Sequence, residues 1–186
     1  MKDQFTNYIQ KNKLFNNSHN LLLAYSAGAD SSVLFNLLLK CKFNFSVAHC
    51  NYKLRGKQSD NDEIFIVEIA KKNKVKYHIK KFDISKINFE QSQSVQMECR
   101  KIRYKWFSQL SEKYGYDFIL TAHHLNDSIE TFFINLLRGT GIEGLAGIPI
   151  KRDKFIRPLL FTTKNKILEY ARINKINFRE DESNAS

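Results

Sequence analysis

Short apolar runs alternate with stretches of helical period along most of this 186-residue chain, and that alternation restricts the folds open to it. Leu21 to Tyr25 is a continuous apolar run, as expected of a strand buried on both faces. "FNFSVAHCN", "KVKYHIKKFDI" and "YDFILTAHH" read as three further strands. Between them lie segments whose apolar residues recur at helical spacing. The first is the run with Val33, Leu34, Leu37, Leu38 and Cys41. "SDNDEIFIVEIAKKN" follows, opened by acids in its first turn, then "SVQMECRKIRYKWFSQLSEKYG", closed by Gly115. "NDSIETFFINLLRG" and "RPLLFTTKNKILEYARINK" are two more. This order predicts an α/β fold, doubly wound, with a mainly parallel sheet and helices on both faces. One domain fits the length, with a core over 20–150 and a helical extension over 151–186.

The first strand ends in "SAGADSS". Small and hydroxyl residues at a strand-to-helix turn leave the first helical N–H groups unsatisfied and aimed at the turn. With the helix dipole they make an anion site, to which Ser26, Ser31 and Ser32 add hydroxyl donors. Asp30 or Ser31 stands where an N-cap belongs, so an ordinary capped turn is the competing reading. The segment is not a Walker loop, since no Gly-Lys-Ser/Thr follows, and no GxGxxG is present. Ligands of parallel sheets bind beyond the carboxyl ends of the strands. Polar residues gather at those ends: Ser26 to Ser32, then His49 and Asn51, then His123 to Asp127.

Thirty Lys and Arg against nineteen Asp and Glu give a net charge of +11 and a pI near 9.5. That surplus suits a polyanion such as nucleic acid; a lysine-rich proteome with AT-rich codon usage would produce it as well. No apolar run is long enough for a membrane span, and "MKDQFTNYIQKNKLF" reads as an amphipathic helix and not a signal peptide. Cys41, Cys50 and Cys99 have neither CxxC nor metal-ligand spacing, so a reduced, cytoplasmic setting is expected.

"SAGADS" resembles the SGGxDS loop of the N-type ATP pyrophosphatases, also called PP-loop enzymes. "AHCNYKLRG", "QMECRKIRYKWF", "TAHHLNDSIETFFINLLRGTGIEGLAGI", "IRPLL" and "FREDESN" then follow in the order found in the tRNA(Ile)-lysidine synthase family. The resemblance implies a Rossmann-like fold of the adenine nucleotide α-hydrolase type. It implies ATP as cosubstrate, Mg²⁺ as cofactor, and L-lysine and an isoleucine tRNA with anticodon CAU as partners. Lysine would be joined to C2 of the wobble cytidine through an adenylated intermediate, releasing AMP and diphosphate. It further implies a catalytic-domain fragment lacking C-terminal tRNA-binding domains, and leaves open whether the protein is a homodimer. Ala27 stands where the loop usually has glycine. A positive φ there would cost on the order of 1 kcal/mol; alternatively, the methyl would crowd a phosphate. Tyr52 replaces a histidine usual in the family.

On the same resemblance, Ser26, Ala27, Gly28, Ala29, Asp30, Ser31 and Ser32 would hold the nucleotide, with His49 and His123 beside it. Asp30 would bind Mg²⁺ or orient the α-phosphate. Arg100 and Arg103 lie three apart on one helix face; either would stabilise charge on the α-phosphate, Arg103 being the better candidate. Asp127 and Glu130, also three apart, would receive the lysine ammonium, whose reference pKa of about 10.4 requires proton loss before attack. The competing reading of "DSIE" is a capping box with Asp127 as N-cap. Two rival functions stand beside this one. A tRNA thiolase of the same class would need paired cysteines, and a non-catalytic nucleotide-binding regulator would be consistent with Ala27.

Overall fold

The computed structural model describes residues 1–54, 56–83, 95–141 and 146–179. The chain opens with helix α1 (Lys2–Lys11), then β1 (Leu21–Ala24), α2 (Ala29–Lys40), β2 (Phe45–Asn51), α3 (Lys57–Lys72) and β3 (Tyr77–Lys81). After them come α4 (Val95–Tyr114), β4 (Phe118–Leu120), α5 (Leu125–Leu137), the short strands β5 (Lys151–Arg152) and β6 (Phe155–Ile156), and α6 (Lys164–Ile173). The sheet order is β3-β2-β1-β4-β6-β5. Every neighbouring pair is parallel except β5 and β6.

Leu21, Leu22 and Leu23 are fully buried, which explains why β1 carries an apolar residue at every position. The two faces of the sheet support separate cores. Leu21 and Leu23 join Phe5, Leu34, Leu37, Ile66 and Ile167 from α1, α2, α3 and α6 on one side. Leu22 packs with Trp106, Phe107 and Leu110 of α4 on the other. Helices on both faces of a mainly parallel sheet are thus observed. α1 buries Phe5 and Ile9 as its amphipathic pattern requires.

Four expectations need correction. Residues 151–156 are not part of a helical extension; they form β5 and β6, which lengthen the sheet beyond β4. Gly28, and neither Asp30 nor Ser31, is the N-cap of α2, because helical dihedrals begin at Ala29. His124, not Asp127, is the N-cap of α5, and Asp127 falls on that helix's third residue. His49 and Asn51 lie within β2, not after it. α5 buries none of its residues, leaving Phe133 and Leu137 exposed. The chain builds β1, β2 and β3 in one direction and then crosses back to lay β4 on the other side of β1. The crevice at the strand ends therefore opens where that direction reverses.

Candidate active site

A cleft of about 260 Å³ occupies that crevice. The end of β1 and the following turn contribute Tyr25, Ser26, Asp30 and Ser31, and β2 contributes Ala48, His49 and Cys50. Arg103, Tyr104 and Phe107 of α4 form a facing wall, with Thr121, His123 and Asp127 closing the end beside β4. Of the residues expected to act together, Ser26, Asp30, Ser31, His49, Arg103, His123 and Asp127 meet here.

The turn is held by its own hydroxyls. Ser31 Oγ donates to the Gly28 carbonyl at 3.1 Å and accepts from the Ser26 N–H at 3.3 Å. Ser26 Oγ lies 3.1 Å from Ser31 Oγ. The first helical hydrogen bond of α2 runs from the Ser32 N–H to the Gly28 carbonyl, so the N–H groups of Ala29, Asp30 and Ser31 have no helical acceptor. Ser32 is turned inward: its hydroxyl donates to the Ala27 carbonyl and meets the Tyr25 hydroxyl, and the residue is 1% exposed. Ala27, Gly28, Ala29 and Ser32 do not line the cleft with their side chains. Ala27 has φ 71° and its methyl is wholly buried, so the position requires the left-handed conformation and the methyl points into the core.

The N-termini of α2, α5 and α6 converge here, a feature the sequence reading missed. Lys164 opens α6, and its ammonium donates to both Asp30 oxygens, at 2.8 and 2.9 Å. The backbone N–H of Lys164 donates to Asn126 Oδ1, and that of Leu125 to the Thr162 carbonyl, tying the first turns of α5 and α6 together. Buried His124 stands between two carboxylates, with Nε2 3.7 Å from Asp30 Oδ1 and Nδ1 3.5 Å from Asp127 Oδ2. Asp127 Oδ2 also accepts from the His124 N–H at 2.8 Å. Three helix dipoles point their positive ends at one place, which favours an anion there. A signal for Lys164 existed: Thr163 is an N-cap residue type, and a cation in a first turn opposes the dipole unless an acid holds it.

Two histidines line the cleft in neutral form. His49 Nδ1 lies 2.9 Å from the Tyr25 carbonyl, so Nδ1–H donates and Nε2 remains a buried acceptor without a partner. Burial pushes its pKa down. His123 is pushed down to about 4, first by burial; Asp127 pulls the other way, and Arg157, Arg100 and Arg103 add to the depression. Its Nδ1 lies 2.9 Å from Thr121 Oγ1. Burial also pushes the Cys50 thiol up to about 12, leaving it protonated and a poor nucleophile. Tyr52 stacks on Phe82 and donates its hydroxyl to the Cys99 carbonyl at 2.7 Å.

Arg100 and Glu130 fall outside the cleft lining. Arg100 is exposed one turn before Arg103, donating to the Tyr104 hydroxyl at 3.1 Å. Glu130 is exposed on α5, one turn beyond Asp127. Arg55, the segment 142–145 of the glycine-rich block and 180–186 of the last motif lie outside the described residues. Among the described residues no group of three His, Cys, Asp or Glu side chains is arranged to hold a metal ion, and no helix is long and apolar enough to cross a membrane. Both Asp30 oxygens accept from Lys164, so a magnesium ion carried on a nucleotide would have to share or displace that ammonium to reach the carboxylate.

The profile of the PP-loop domain family matches residues 1–186. The chain is 40% identical to the tRNA(Ile)-lysidine synthase of Clostridium perfringens, over 99% of its own length and 40% of the relative's. It is 38% identical to the enzyme of that name from Bacteroides thetaiotaomicron, over 95% and 42%. The Chlorobaculum tepidum relative is 35% identical, over 97% and 56%. The chain thus spans about two fifths of the length of the first two of these relatives. Among solved structures, the U34-tRNA thiolase NcsA of Methanococcus maripaludis superposes with a TM-score of 0.78 at 19% identity, covering 96% of this chain and 64% of that one. An NH3-dependent NAD synthetase from Campylobacter jejuni superposes with a TM-score of 0.62 at 16% identity, covering 97% and 77%. Those two likenesses concern the fold.

Proposed function

Because the chain belongs to the PP-loop domain family, we propose that it is an ATP-using ligase that joins L-lysine to C2 of the wobble cytidine in a CAU-anticodon isoleucine tRNA. The observation that carries this reading is the meeting of the phosphate turn, Arg103 and Asp127 in one cleft. The relatives named for this reaction support the substrate class.

The carbonyl at C2 of cytosine is a poor electrophile and its oxygen a poor leaving group. In the proposed sequence that oxygen attacks the α-phosphorus of ATP and diphosphate departs. The lysine side-chain amine then attacks C2, and AMP leaves with the oxygen. The free N–H groups at the start of α2, with Ser26 and Ser31, hold the departing phosphates. Lys164 neutralises Asp30, which would otherwise repel them. Arg103, facing the turn across the cleft, stabilises the charge that builds on the α-phosphate. Mg²⁺ bound with ATP would sit at Asp30 and screen the phosphate oxygens.

The amine must lose a proton before attack. Burial keeps His123 uncharged, so the groups that would attract the ammonium and take its proton are the carboxylates. Asp127 lines the cleft and Glu130 stands one turn farther out, where it would meet the entering ammonium. Burial holds the Cys50 thiol protonated, which gives little support to a thiolase. A reduced, cytoplasmic setting goes with the tRNA substrate. The test is incorporation of radiolabelled lysine into CAU-anticodon tRNA, with ATP omitted as control. Retained ATP binding with no lysine-dependent AMP release would favour the regulatory alternative.

A further inference from the structure

Arg157 is 4% exposed, yet it forms no ion pair among the described residues. Its Nη1 donates to the Pro149 carbonyl at 2.7 Å, and its Nε is buried without a partner. Tyr104 lies against the guanidinium, and Arg100 and Arg152 are close enough to repel it. Arg100 reaches the same tyrosine from the other side, donating to its hydroxyl and lying over its ring at 4.9 Å. The ring itself is pinned on Phe155 of β6 at 4.5 Å.

This arrangement is costly for a purely structural role. A buried charge is stable when an opposite charge compensates its lost hydration, and a neutral carbonyl with the Tyr104 hydroxyl does so only in part. Nearby guanidinium groups make the balance worse. A neutral donor would tether Pro149 as well. What the cluster does favour is an anion, and the planar fork of arginine matches the paired oxygens of a phosphate.

The phosphates of ATP already have a place at the turn from Ser26 to Ser31. Arg157 and Arg100 do not line that cleft. They lie against Tyr104, which does line it, and both bear electrostatically on His123. A polynucleotide whose target base enters the cleft must run its backbone over that rim. We propose that exposed Arg100, joined through Tyr104 to buried Arg157 behind it, forms a second anion subsite that holds a backbone phosphodiester of the RNA beside the nucleotide being modified. The inference rests on the functional reading above and adds the residues that position its RNA.

The test measures binding of a CAU anticodon stem–loop to the full chain between about 50 and 200 mM salt. Arg157→Lys and Arg100→Gln are the variants, with ATP and inorganic pyrophosphate binding measured alongside. Arg100→Gln is expected to weaken RNA binding about tenfold and to reduce the slope of log K against log salt by about 0.7, the loss of one single-strand phosphate contact; Arg157→Lys, which keeps its charge, is expected to weaken RNA binding with the slope unchanged. Binding of ATP and pyrophosphate should change less than twofold. Weakened ATP or pyrophosphate binding with RNA binding intact would assign the site to nucleotide phosphates and overturn the proposal. RNA binding unchanged in both variants would also overturn it and leave Arg157 as a tether. Should Arg157→Lys fail to fold, exposed Arg100 still decides the matter. If the unaltered protein bound no RNA, the functional reading would fall too, which distinguishes the two failures.

Discussion

Replacing Ala27 by glycine tests how this phosphate turn works without the usual glycine. At φ 71° an alanine carries a strain of about 1–2 kcal/mol that glycine would release. The methyl is 0% exposed, so its removal forfeits about 0.8 kcal/mol of burial. A glycine also gives the unfolded chain more freedom, which costs about 0.4–1 kcal/mol. These terms offset to within about 1 kcal/mol, so Ala27→Gly should shift the melting temperature by no more than about 4 °C in either direction. The backbone of the turn is held independently of the methyl, since the Ala27 carbonyl accepts from the Arg179 N–H at 2.9 Å and from Ser32 Oγ at 3.3 Å. ATP affinity should therefore stay within twofold by calorimetric titration. A tenfold gain in ATP affinity would mean that the methyl crowds a phosphate after all. A stabilisation well above 2 kcal/mol would mean that the strain is not offset by packing.

Asp127→Asn should reduce lysine transfer far more than tRNA-dependent adenylation, measured as pyrophosphate release. An equal fall in both would reduce Asp127 to the cap that accepts from the His124 N–H. Lys164→Gln removes the ammonium from Asp30 and should weaken ATP binding about tenfold, with a stability loss of about 1 kcal/mol; unaltered ATP binding would remove Lys164 from the site. His123 titrates near 4 when folded and near 6.5 when unfolded, so the unfolded state takes the proton first. Its contribution to stability is complete above pH 6.5 and is lost as pH falls toward 4. His123→Gln should flatten urea-derived stability over that window, and an unchanged pH profile would contradict the assignment.

The sheet was legible because burial on both faces leaves a mark on composition. "LLLAY" carries apolar residues on successive positions, as a strand between two helical layers does, whereas "FNFSVAHC" has only Val47 and Ala48 adjacent although β2 is buried on both faces. β5 and β6 left no such mark, since two residues cannot display a period. Their place beside β4 is set by tertiary pairing. The cap of α2 was misplaced for a local reason: small polar residues crowd this turn, and the hydroxyls of Ser26 and Ser31 bond each other and the turn backbone. A first-turn cation after Thr163 signalled that Lys164 needs an acid, but its partner Asp30 lies 134 residues away and no local pattern names it. Convergence of three helix ends is a property of the winding, and no periodicity encodes it. Arg100 and Arg103 share a helix face by spacing, but only packing shows that Arg103 enters the cleft while Arg100 turns to Tyr104.

The central claim is that one cleft performs both halves of a lysine ligation. Single-turnover release of labelled AMP from α-labelled ATP, with CAU-anticodon tRNA present and lysine added or withheld, tests it most directly. Pyrophosphate release should require the tRNA alone, and the AMP release that follows should require lysine as well. AMP released without tRNA, or AMP released at the same rate whether or not lysine is present, would contradict it.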